Sequence, residues 1–123
     1  MTSDDDTLNP RFVYSSFLRP NAPVAAHVDR AIEAWQGPLD ASTTMSLTIE
    51  HLAPLAGAHT VRVDLWTEHL DDCSCVYGFL CSSEDGNTAY ARGERTIVNI
   101  DASWSTAFRE RVSTLLKDLP AYA

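Results

Sequence analysis

Between Ser42 and Asp101 apolar and polar residues alternate with a period of two in four successive runs, with no helical pattern between them. Met45, Leu47 and Ile49 alternate with Ser46, Thr48 and Glu50, and Val61, Val63 and Leu65 with Arg62, Asp64 and Trp66. Cys73 to Ser82 makes a third run and Ala89 to Ile100 a fourth. Strands that follow one another without crossover helices pair antiparallel, so this block excludes a parallel sheet of strand–helix–strand units. The breaks agree: Ala53-Pro54-Leu55-Ala56-Gly57, Asp71-Asp72, and Glu84-Asp85-Gly86-Asn87. The last predicts a hairpin, because Asp-Gly accepts the positive φ angles of a tight turn.

Two helices flank this block. Arg11 to Leu18 (RFVYSSFL) reads as a short strand stopped by Arg19-Pro20-Asn21, and a helix runs from about Pro23 to Trp35. Pro23 suits the first turn, where a missing N–H is no loss, with Asn21 or Ala22 near the cap. Val24, Val28, Ala31, Ile32 and Trp35 form one apolar stripe, with His27 at its edge and Asp29, Arg30 and Glu33 across the wheel. Gln36-Gly37-Pro38 ends the helix. After Asp101 a closing helix is expected, capped by Ser103, with Trp104, Phe108, Val112, Leu115, Leu116 and Leu119 on its apolar face. The order strand, helix, four strands, helix is an α+β arrangement in which the antiparallel sheet wraps the first helix. At 123 residues the chain has enough length for one core. We expect residues 1–9 to be a disordered acidic tail and residues 10–123 to be a single domain.

Seventeen acids against nine Lys and Arg give a net charge of −8, of which Asp4, Asp5 and Asp6 carry three. So acidic a chain lacks the basic footprint of a nucleic-acid or anionic-membrane binder. It has no apolar run approaching the roughly 18 residues of a transmembrane helix, and no basic-then-apolar leader. A cytoplasmic protein is expected. Three cysteines, Cys73, Cys75 and Cys81, are an odd number and argue against a disulfide framework. If residues 73–82 form one strand, all three share a face and read as small buried hydrophobes. Cys73-Ser74-Cys75 with His69 does not complete a metal site, and no glycine-rich phosphate loop, G-x-S-x-G elbow or HExxH motif occurs.

Three stretches resemble the hotdog-fold acyl-CoA thioesterase superfamily, nearest its 4-hydroxybenzoyl-CoA thioesterase-like branch. Ile49-Glu50-His51-Leu52-Ala53-Pro54-Leu55, then Gly57 and Val61-Arg62-Val63, looks like the family's strand, Pro-Leu turn and next strand. Leu70-Asp71-Asp72-Cys73-Ser74-Cys75-Val76-Tyr77 is similar to its turn into a strand carrying a Ser. Asp85-Gly86, Ala89-Tyr90-Ala91-Arg92-Gly93 and Thr96-Ile97-Val98-Asn99-Ile100-Asp101 look like its final strand. Together they cover residues 45–101. The resemblance implies a hotdog fold with an extra C-terminal helix, and hydrolysis of an acyl-CoA or acyl carrier protein thioester without metal. On the same reading coenzyme A is expected to enter only as part of the substrate, and a homodimer or homotetramer is expected.

The family's D-x-x-G-H-V-N-N motif at the central helix aligns with Pro23-Val24-Ala25-Ala26-His27-Val28-Asp29-Arg30. His27 and Val28 match, whereas Pro23 stands at the acid position, Ala26 at the glycine, and Asp29-Arg30 at the asparagine pair. The alternative is therefore a non-catalytic hotdog module that binds an acyl or aromatic ligand. A third reading, a helix-grip barrel, would put the C-terminal helix in the concavity of the sheet.

The candidate site follows from this. Thioester hydrolysis needs a base or carboxylate near the carbonyl and an oxyanion stabiliser, which helix N-terminal N–H groups can supply. The resemblance implies that the helix start, Asn21 to His27, faces an acyl channel between two subunits. His27, as neutral imidazole, could act as a base holding a water. Asp29 enters catalysis where its face meets a second subunit. Asn21, His51 and Ser74 are candidate substrate contacts, and Arg92 and Arg95 candidates for the phosphates of coenzyme A.

Overall fold

A computed structural model describes residues 11–19, 22–37, 43–55, 60–99 and 104–116, with main chain only for 43–45. The acidic tail, Asn21, Ser103 and Leu119 lie outside these residues.

The strands are β1 (Phe12–Phe17), β2 (Thr43–His51), β3 (Thr60–Leu70), β4 (Ser74–Ser82) and β5 (Ala89–Asn99), and the helices α1 (Val24–Gln36) and α2 (Thr106–Ser113). The strands form one antiparallel sheet in the order β1-β3-β4-β5-β2. Alternation decides which side each residue takes. Val61, Val63 and Leu65 of β3, Cys75, Tyr77, Phe79 and Cys81 of β4, and Ala91 and Ile97 of β5 are buried on one face. Val24, Val28, Ala31 and Ile32 of α1 complete that core. Burying a Val or Ile side chain is worth about 1.5–3 kcal/mol, so this stripe fixes how α1 lies in the sheet. The helix in the concavity is thus the first one, which removes the helix-grip reading.

α1 starts one residue later than its sequence suggests. Pro23 is the N-cap, in extended conformation, and its carbonyl accepts the first helical bond from Ala26 N at 3.0 Å. Gly37 ends the helix at φ 96°, a left-handed conformation that favours glycine, with its N–H donating to the Glu33 carbonyl. The β4–β5 hairpin turns on Gly86 at φ 80°, as Asp-Gly predicts, and Asp85 accepts from Asn87 N and the Ser83 hydroxyl.

α2 is shorter than the closing apolar pattern suggests. Its N-cap is Ser105, whose hydroxyl accepts from Phe108 N, and Trp104 precedes the helix with its ring stacked on Phe108 at 4.3 Å. The helix ends against a bulge in β3: Thr67 donates from its hydroxyl to the Val112 carbonyl and from its N–H to the Leu115 carbonyl. Val112 and Leu115 are buried there, whereas Leu116 is exposed.

Candidate functional site

His27 lies in the first turn of α1 and is fully enclosed, deeper than the stripe-edge position its spacing suggests. Its Nδ1 is 2.8 Å from the hydroxyl of Ser16 on β1, which is equally enclosed. Ser16 is on the α1 side of the sheet because it shares a face with Phe12 and Tyr14, four and two residues before it in the strand. The only sequence sign of this partner is a polar residue at an inward strand position. Nε2 of His27 has no hydrogen-bond partner among the described residues. Burial, with a smaller contribution from the nearby Arg30 charge, lowers the imidazole pKa below 6.5, so the ring is neutral at pH 7. With the proton on Nδ1, that N–H donates to Ser16 Oγ and Nε2 keeps a free lone pair. The amides of Val24 and Ala25, which open α1, have no carbonyl within the helix to donate to, whereas Ala26 N donates to the Pro23 carbonyl.

Asp29 points elsewhere. Two residues along a helix turn a side chain to nearly the opposite side, so His27 and Asp29 do not converge within one chain. Asp29 meets β5, where Arg95 grips both carboxylate oxygens, Nε at 3.1 Å and Nη2 at 3.0 Å. Burial raises the Asp29 pKa, and the Arg95 charge and hydrogen bonds work against that rise.

Arg92 and Arg95 are three apart in β5 and therefore take opposite faces. They cannot form one phosphate-binding pair. Arg95 is buried on the α1 side, whereas Arg92 is exposed on the outer face and paired with Glu50 at 2.9 Å. Arg92 does line a cavity of about 540 Å³, but Glu50, Glu68 and Glu94 line it too, an unfavourable wall for a polyphosphate. His51 ends β2 in an exposed position, whereas His27 is fully enclosed. Ser74 belongs to a turn: its N–H and hydroxyl donate to Asp71 Oδ1 at 2.8 and 2.9 Å. These bonds, with one from Cys73 N, pull the Asp71 pKa down to about 2.

The cysteines divide. Cys73 precedes β4 and is exposed, so it does not share the buried face expected for all three. Cys75 and Cys81 are buried, and desolvation pushes both thiols up to about 12, which leaves them unreactive at neutral pH. Among the described residues no His, Cys, Asp and Glu cluster could hold a metal, and no helix is long and apolar enough to cross a membrane.

No family model matches the sequence, and no curated protein does. Solved structures do match its fold. A 1,4-dihydroxy-2-naphthoyl-CoA thioesterase from Synechocystis superposes with TM-score 0.68 at 15% identity, covering 90% of this chain and all of that one. A Thermus thermophilus thioesterase, solved with coenzyme A and zinc, gives 0.67 at 17% identity over 88% of this chain and 95% of its own. The PA5185 protein of Pseudomonas aeruginosa gives 0.67 at 15% identity over 90% of this chain and all of its own. At such identities the likeness is one of fold.

Proposed function

We propose that this chain, whose sheet order and structural neighbours make it a hotdog fold, hydrolyses acyl thioesters of coenzyme A or an acyl carrier protein in the cytoplasm. The reading takes His27 as general base and needs no resident metal. The observation that carries it is the His27 Nε2 atom, buried without a hydrogen-bond partner among the described residues while Ser16 engages the other ring nitrogen. An unsatisfied polar atom in a core costs about 1–3 kcal/mol, which a purely structural histidine has no reason to bear. In the proposed reaction Nε2 takes a proton from a water as that water attacks the thioester carbonyl. The first amides of α1 receive the charge on the oxygen, and the thiolate leaves with a proton returned from the imidazolium. Because the ring is enclosed, the substrate reaches it only when the surroundings of the α1 start open. Asp29, held by Arg95, positions α1 on β5 in this scheme.

A second reading, a non-catalytic module for an acyl or aromatic ligand, rests on Pro23 at the family's acid position and on the enclosure of His27. Release of free thiol from a panel of short, long and aromatic acyl-CoAs separates the two. Hydrolysis should fall about a hundredfold or more in His27→Ala, the range of a lost general base. The wild-type rate should hold as pH drops through 6.5 and decline only below it, because the lowered pKa keeps the base unprotonated there. No thiol release from any member leaves the binding module standing, and hydrolysis that survives His27→Ala removes His27 from the chemistry.

A further inference from the structure

The cavity of about 540 Å³ lies on the sheet face turned away from α1, so it is separate from the His27 site. One cross-strand row, Trp66, Gly78, Glu94 and Thr48, runs across its floor. Gly78 has no side chain to fill the middle of the row, and the Trp66 indole leans into the space. A Cβ at Gly78 would run into that ring. The indole N–H donates to Glu68 at 2.6 Å, which aims this carboxylate along the rim. Leu80 adds an apolar wall.

The charge of the lining decides what such a space accepts. Three glutamates outnumber the one arginine of the lining, Arg92 is already committed to Glu50, and Glu68 is engaged by the Trp66 indole. The Glu94 carboxylate has no ion-pair or side-chain hydrogen-bond partner among the described residues. Phosphates and carboxylates are therefore disfavoured, while a cation gains at Glu94. The chain itself shows the preference, for the Arg11 guanidinium lies 4.7 Å from the centre of the Trp66 ring. The volume falls within the range of small-molecule sites.

We propose that this outer-face cavity binds an organic ammonium ion with an apolar body. The body lies between the Trp66 edge and Leu80, and the ammonium meets Glu94. The inference does not depend on thioester hydrolysis, since no residue is shared with the His27 site.

Calorimetric titration of the full chain with phenethylammonium and, as the charge-reversed match, 3-phenylpropionate tests it. The ammonium should bind and the carboxylate should not. Glu94→Gln should weaken the ammonium about three- to fivefold, the scale of an exposed ion pair, and Glu94→Lys should abolish binding. Raising the salt concentration should weaken binding in the wild type more than in Glu94→Gln. No binding of either compound at millimolar concentration overturns the proposal, as does equal binding of both or indifference to both Glu94 variants. Circular dichroism of each variant establishes that the fold is retained, and unchanged thiol release keeps this outcome separate from that of the His27 site.

Discussion

Arg95 and Asp29 form one ion pair but differ in access to water, with side-chain exposures of 11% and 33%. Removing one partner is felt through the group left behind. Asp29→Asn leaves a nearly sealed guanidinium without its counter-charge, and should cost about 2–3 kcal/mol. Arg95→Met leaves a carboxylate that water still reaches, and should cost about 1 kcal/mol. Urea unfolding at pH 7 measures both, and equal losses would show that the difference in exposure does not decide the cost of losing a partner. The identities of such residues are plain in the sequence, but their partners are not. A helical wheel puts Asp29 opposite the apolar stripe because it shows only which side is apolar, not how far the sheet curls up around it. Arg95 is 66 residues away, and nothing local couples the two. For the same reason His27 can be singled out from its motif, while its contact with Ser16 requires knowing that β1 runs along β3 beneath α1.

Elements were more readable than contacts, because alternation and helical spacing belong to a segment and survive ignorance of register. The order of elements, the hairpin at Gly86 and the end of α1 at Gly37 all follow from local patterns. The length of α2 does not. The apolar pattern continues beyond Ser113, but the chain leaves the helix once Thr67 engages the Val112 and Leu115 carbonyls. Two glycines show how close approach is built into strands. At Gly93 a Cβ would collide with the Thr48 carbonyl oxygen, a backbone atom of β2 that cannot yield without moving its strand. At Gly78 the obstacle is the Trp66 side chain, which can swing outward. Gly93→Ala should therefore destabilise by about 3 kcal/mol or more, and Gly78→Ala by about 1 kcal/mol. Thermal melts of the two variants check this, and the reverse order would mean that β2 adjusts more easily than the indole.

On the scale of the whole molecule, α1 does not cover the sheet evenly. It packs on β1, β3 and β4, and reaches β5 through the Asp29–Arg95 pair. Leu47 and Ile49 of β2 are only half-buried on the same side, and β2 ends the sheet with no strand on its outer edge among the described residues. A free edge beside incompletely covered apolar residues is a surface that proteins pair or cover. We therefore propose that two copies associate through the β2 side, which gives the homodimer implied by the fold resemblance and brings the Asp29 face of one copy toward the other. Light scattering after size exclusion should give twice the 13.5 kDa chain mass. Leu47→Lys with Ile49→Lys should shift that mass to a monomer while far-ultraviolet dichroism stays native-like. If the dimer forms the site, the same variant should lose thiol release together with dimer. A wild-type chain that stays at 13.5 kDa at every concentration rejects the pairing. A monomeric variant that still hydrolyses places the whole reaction at His27 within one chain.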